Sequence, residues 1–121
     1  MSRFLAYTSP ARGHLYPIVP SLLELRDRGH EVHVRTLASE VAVLEGLGLH
    51  AEAIDAEIER VALADFEGST PQEALAKALS TFARRAAHEV PDLRRAIAEV
   101  DPEALLIDIT TIGAEAVAEA C

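Results

Sequence analysis

The stretch RFLAYTSPARGHLYPIVPSLLELRDRGHEVHVRT, residues 3–36, sets the architecture of the whole 121-residue chain. Its first six residues, Arg3–Thr8, form a mostly apolar run cut off by Ser-Pro-Ala-Arg-Gly, the pattern of a strand buried on both faces. Leu15, Ile18, Val19, Leu22 and Leu23 then follow helical spacing until Gly29 supplies a stop. Glu31–Thr36 is a second strand. Pro17 fits a first helical turn, where its missing N–H has no intrahelical partner, but Pro20 does not; the helix therefore opens late or irregularly, just after His14. Gly13 lets the backbone turn tightly ahead of that histidine.

Beyond this unit the alternation continues. SEVAVLEGLG is a short helix ended by Gly48, and residues 50–55 are a weaker third strand. Residues 55–70 loosen into a loop. Thr70 caps a long helix, with Pro71 in its first turn and Glu73 in the capping-box position. Its buried stripe is read as Ala74, Leu75, Ala78, Leu79, Phe82, Ala86 and Val90, ending at Pro91. A separate helix follows from Pro91, with Leu93, Ile97 and Val100 on one face, broken at Asp101-Pro102. Residues 103–108 are the fourth strand, and a last helix follows Gly113.

The order of strands and helices with short links predicts an α/β fold: a doubly wound parallel sheet with right-handed crossovers and strand order 3-2-1-4. In such sheets ligands bind beyond the carboxyl ends, where strands 1 and 4 are neighbours. His14 follows strand 1 and Asp108 ends strand 4. With adjacent strands about 4.8 Å apart, the two side chains can meet. An aspartate on one imidazole nitrogen leaves the other free as a general base, an arrangement that supplies about 10²–10⁴-fold in rate. A histidine after a strand can equally cap a helix or bond a carbonyl, and an aspartate there can cap the next helix; topology alone leaves both readings open.

The formal net charge of −9 and the scattered basic residues exclude a nucleic-acid or anionic-membrane surface. Arg84-Arg85 and Arg94-Arg95 read as solvated helix faces. The single cysteine, Cys121, excludes an intramolecular disulfide and a cysteine-cluster metal site, and reads as a small core residue. No secretory signal or transmembrane run is present in these residues, which implies a cytoplasmic protein without a membrane partner. His30 and His33 would face opposite sides of a strand, and His50 and His88 have no partner at ligand spacing, so no metal site is expected. The P-loop, the dinucleotide fingerprint and the serine nucleophile elbow are missing.

Taken together, residues 4–36 resemble the opening of family-one glycosyltransferases of the GT-B fold, above all the bacterial macrolide and natural-product enzymes. Gly13, His14 and Pro17 match their G-H-x-x-P motif, Arg28, Gly29, His30 and Val32 match R-G-H-x-V, and Leu105–Thr110 looks like their D-I-T segment. The resemblance covers essentially the whole chain. It implies a Rossmann-like N-terminal, acceptor-binding domain spanning residues 1–121, cut inside its last helix, with the C-terminal donor-binding domain absent. It further implies that His14 deprotonates an acceptor hydroxyl while Asp108 orients it. Phe66, Phe82, Ile109 and Thr110 become candidates for the wall around a small hydrophobic acceptor. A nucleotide sugar serves as co-substrate, with no cofactor and no metal, and inverts at its anomeric carbon. Alone, such a chain is expected to be inactive and, with apolar surface bared at the switch point, to self-associate. Two other readings stand beside it: the acceptor subunit of a split N-acetylglucosaminyltransferase, and a non-catalytic flavodoxin-like binding module.

Overall fold

The computed structural model describes residues 1–63 and 65–121. Four strands, β1 (Arg3–Tyr7), β2 (Glu31–Thr36), β3 (His50–Ala53) and β4 (Ala104–Ile107), form one sheet in the order β3-β2-β1-β4. Every pairing is parallel, with Tyr7 opposite Arg35 on one side and Ile107 on the other. The expected strand order and the doubly wound topology are both present.

The β1–β2 crossover has the irregular opening that Pro20 required. A single helical turn, α1 (Arg12–Leu15), runs through a 3₁₀ turn at Tyr16–Ile18 into α2 (Val19–Asp27). Gly13 lies inside α1 and is not among the glycines with positive φ, so it makes no tight turn; a Cβ there would meet nothing within 4 Å. The left-handed backbone is used instead at Gly29 and Gly48, with φ of 89° and 85°, closing α2 and α3 (Val41–Gly46). The third strand stops at Ala53, and Asp55 caps α4 (Ala56–Arg60) by accepting from the Glu57 N–H at 2.9 Å. The stretch expected to be a loop thus carries a short helix.

The two helices read on either side of Pro91 are one. Helix α5 runs unbroken from Pro71 to Val100, with Thr70 as its cap and Asp101 in the left-handed conformation at its end. Pro91 is exposed, while Leu93, Ala96 and Val100 hold the following turns against the sheet. The buried stripe of α5 is also displaced from the expected one: Thr81, Arg85, Glu89, Asp92, Leu93, Ala96 and Val100 point inward, while Leu75 and Leu79 are exposed. Arg85 is no solvated charge. It is buried and donates from Nε and Nη2 to the Val61 carbonyl at 2.9 and 2.6 Å. The last helix, α6 (Ile112–Ala120), packs on α5, and Cys121 behind it is exposed rather than in the core.

Helices cover both faces of the sheet. Ala6, Val32, Val34 and Ala51 pack with Leu15, Leu22 and Leu44 on the α2–α3 side; Leu5 and Tyr7 pack with Leu93, Ala96, Ala114 and Val117 on the α5–α6 side. Among the described residues no helix is long and apolar enough to cross a membrane.

Candidate active site

The parallel β1–β4 pairing brings the segments after Tyr7 and Ile107 together at the carboxyl edge. Asp108 follows β4 directly, and its N–H donates to the Tyr7 carbonyl at 3.0 Å. Its side chain is almost wholly buried, and both oxygens are held by donors: the Ser9 N–H and hydroxyl reach Oδ2 at 3.0 and 2.9 Å, and the Thr110 N–H and hydroxyl reach Oδ1 at 3.0 and 2.9 Å. Burial alone would raise the Asp108 pKa. The Thr110 and Ser9 N–H groups and the His14 ring outweigh it, and the carboxyl is held below its ordinary value.

His14 comes from α1 and places Nδ1 between the two carboxylate oxygens, 3.0 Å from Oδ1 and 2.9 Å from Oδ2. An ionised carboxylate can only accept, so Nδ1 carries a proton, and in the neutral ring that leaves the lone pair on Nε2. Among the described residues Nε2 has no hydrogen-bond partner, and the ring is 38% exposed. It lines a cleft of about 400 Å³ whose walls include Thr8, Ile18, Leu106, Ile107 and Ile109. A neutral imidazole fixed in one tautomer beside an apolar cleft can take a proton from a bound hydroxyl and pass the positive charge to a buried carboxylate.

Of the residues expected around an acceptor, Ile109 lines the cleft and is 79% exposed. Thr110 does not line it; its hydroxyl serves Asp108 and stands 3.5 Å from His14 Nδ1. Phe82 is half-buried on α5 and Phe66 is exposed on a 3₁₀ turn, Asp65–Glu67, that packs on α5; neither lines the cleft at His14. Ser9 was missed. Its signal lay in the strand order itself, since a 1–4 pairing puts the second residue after β1 diagonal to the first after β4.

Behind the pair sits Glu89 of α5, fully buried, accepting from the Gly113 N–H at 3.0 Å. Burial pushes its pKa up to about 7, against the pull of the Gly113 and Ala114 N–H groups and Arg85, and with a push from Asp108.

Elsewhere on the sheet the structure corrects the reading of the histidines. His30 accepts from the Ser2 N–H at 3.0 Å and packs edge-on to Phe4. His50, read as having no partner at ligand spacing, is opposite His33 in the β2–β3 register, and the two rings stack with centres 4.6 Å apart.

The doubly wound parallel sheet of order 3-2-1-4 is a Rossmann-like layout, and the His–Asp pair lies at its switch point. No protein-family model and no curated protein matches the sequence. Solved structures do. The glycotransferase of kitacinnamycin is 25% identical with a TM-score of 0.73, covering 98% of this chain and 28% of its own. SsfS6 from Streptomyces sp. SF2575, a glycosyltransferase, is 20% identical with a TM-score of 0.78 over 99% of this chain and 37% of its own. The spinosyn rhamnosyltransferase SpnG, solved with spinosyn aglycone, is 21% identical with a TM-score of 0.73 over 97% and 31%. In fold, the chain belongs with these GT-B glycosyltransferases, as the sequence resemblance implied, and it spans about a third of their length.

Proposed function

We propose that this chain is the acceptor-binding part of an inverting glycosyltransferase acting on a small, hydrophobic hydroxyl compound. The observation that carries the reading is the buried, donor-saturated Asp108 holding His14 with Nε2 free beside an apolar cleft. The acceptor O–H gives its proton to Nε2 as its oxygen bonds to the anomeric carbon; the bond from that carbon to the diphosphate breaks on the opposite face, and the nucleotide leaves with the electron pair. Asp108 stabilises the imidazolium and remains ionised throughout.

The likeness to SpnG, solved with thymidine diphosphate and with an aglycone, supports a nucleotide sugar and a natural-product acceptor as the two substrates. In this reading the nucleotide is held by a second domain outside these residues, the chain alone does not complete a turnover, and the enzyme works in the cytoplasm. The test uses the protein that contains this chain together with its donor domain. His14→Ala lowers kcat by about 10²–10⁴-fold, the usual share of a general base, while donor binding is retained. A rate within about twofold of wild type would rule out His14 as the base.

A further inference from the structure

On the α5–α6 face, the β1–β4 half of the sheet is apolar and covered, whereas the β2–β3 half carries Glu31, His33, Arg35, His50 and Glu52. Arg35 is neutralised by Glu52 at 3.1 Å and by Glu99 of α5 at 2.7 Å. Of the remaining three, Glu31 has the Arg3 guanidinium 4.0 Å from Oε2, which leaves Oε1 free, and the rings of His33 and His50 stack on each other. His33 Nε2 is buried and, among the described residues, makes no hydrogen bond, although Glu31 Oε1 stands 3.3 Å away. A buried ring nitrogen left unpaired is a cost that calls for a partner. One ligand atom from each of Glu31, His33 and His50 lies within 4.8 Å of the others.

We propose that these three residues form a site for a divalent transition-metal ion of the zinc class. Imidazole donors select such ions over magnesium or calcium, which take oxygen ligands. Ligand atoms about 2.0–2.1 Å from a tetrahedral zinc are about 3.3 Å from each other, the separation already found between Glu31 Oε1 and His33 Nε2. His50 must close the remaining distance. It is exposed on the edge strand and must give up part of its stacking on His33 to do so, and the groove beside it, about 490 Å³ and flanked by Glu45 and Glu52, leaves room for a water in the fourth position. The ion would tie edge strand β3 to β2 at the flank of the sheet, with ligands from the start of β2 rather than from the carboxyl edge where His14 sits. It is independent of the transfer chemistry.

The experiment is a titration of the chain with Zn(II) by calorimetry and with Co(II) by visible absorption. The expected result is one ion per chain, intense four-coordinate cobalt bands, and a melting temperature that rises with zinc because the ligands converge only in the folded state. His50→Ala, at an exposed position that the core does not need, removes a direct ligand, weakens zinc binding by about tenfold or more, at least the cost of losing an outer-shell partner, and abolishes the thermal shift. His33→Gln does the same. His88→Ala, on α5, leaves binding unchanged. Failure of the wild-type chain to take up zinc, or uptake that persists unchanged in both His50→Ala and His33→Gln, would overturn the site.

Discussion

At the scale of single residues, two buried carboxylates a short distance apart are driven in opposite directions. Asp108 and Glu89 both lose water on folding. Asp108 gains donors on each oxygen and stays ionised; Glu89 gains donors on one oxygen, while Oε2 is buried without a partner among the described residues. For Glu89 the folded pKa of about 7 lies above the ordinary 4.5, so the folded state binds the proton more tightly than the unfolded chain does. Stability from this group is therefore full below about pH 4.5 and is lost as pH rises toward 7 and beyond, by about 3 kcal/mol at the reference cost per pKa unit. Glu89→Gln keeps an acceptor for Gly113 and never ionises. Urea unfolding at pH 5 and pH 8 should show the stability advantage of Glu89→Gln over wild type growing with pH; the same difference at both values would refute the linkage. None of this was visible in the sequence, where Glu89 was one acid among many on a helix. Its partner, the Gly113 N–H, is 24 residues away and known only once α5 and α6 are packed.

At the scale of elements, the helices show where periodicity suffices and where it fails. The β1–α1–α2–β2 unit, its irregular opening and the stops at Gly29 and Gly48 were legible because each signal was local: apolar spacing, proline, glycine. Helix α5 was not, for two physical reasons. Pro91 discourages helix at the residue before it by about the cost of a steric clash and a lost hydrogen bond, but packing on both sides overrides that local cost. The inward stripe is also largely polar. Arg85, Glu89 and Asp92 bury themselves because they find distant partners, such as the Val61 carbonyl for Arg85 and the Tyr7 hydroxyl, which donates to Asp92 at 2.8 Å; Thr81 donates to the Lys77 carbonyl one turn back. A hydrophobic pattern cannot register residues of that kind. The alternation Glu31-Val32-His33-Val34-Arg35 in β2 was similarly available as a sign of a strand with one polar face, and it is that face which gathers the histidines.

The α5–α6 contact is a tight joint between elements. A Cβ added at Gly113 would lie 2.5 Å from the Ala86 carbonyl oxygen and 2.9 Å from its Cα, both backbone atoms that cannot swing away. Gly113→Ala should therefore lower stability by about 1–3 kcal/mol, the cost of overpacking, and should shift the N-terminus of α6 that follows Asp108. Gly13→Ala is the contrast: its Cβ meets nothing within 4 Å, its backbone is helical, and alanine favours a helix over glycine by up to about 1 kcal/mol. Chemical denaturation of the two variants should separate them clearly; equal effects would mean that α6 does not dock on α5 as described.

At the scale of the whole molecule, one group of exposed apolar side chains comes from α5 and the carboxyl edge. Helix α5, 30 residues long, extends about 45 Å, more than twice the length of strands of four to six residues. It leaves the sheet where Ala86 meets Gly113, so its first half projects beyond the carboxyl edge, on the side of His14 and Asp108. That projecting half exposes Leu75 and Leu79 one turn apart, and the carboxyl edge itself exposes Ile109 and Ile112. Large apolar side chains gathered at one edge call for cover, and in a GT-B reading the cover is an acceptor and a partner domain. With neither present, a second copy of the chain is the available substitute. Sedimentation velocity over a range of concentrations should show reversible self-association of the wild-type chain, and replacing Leu75 and Leu79 together by glutamate should return it to a monomer without loss of helix content, since both side chains point away from the core. A wild-type chain that stays monomeric at every concentration would mean that this edge is satisfied by water, and would remove the argument that it was shaped to be covered.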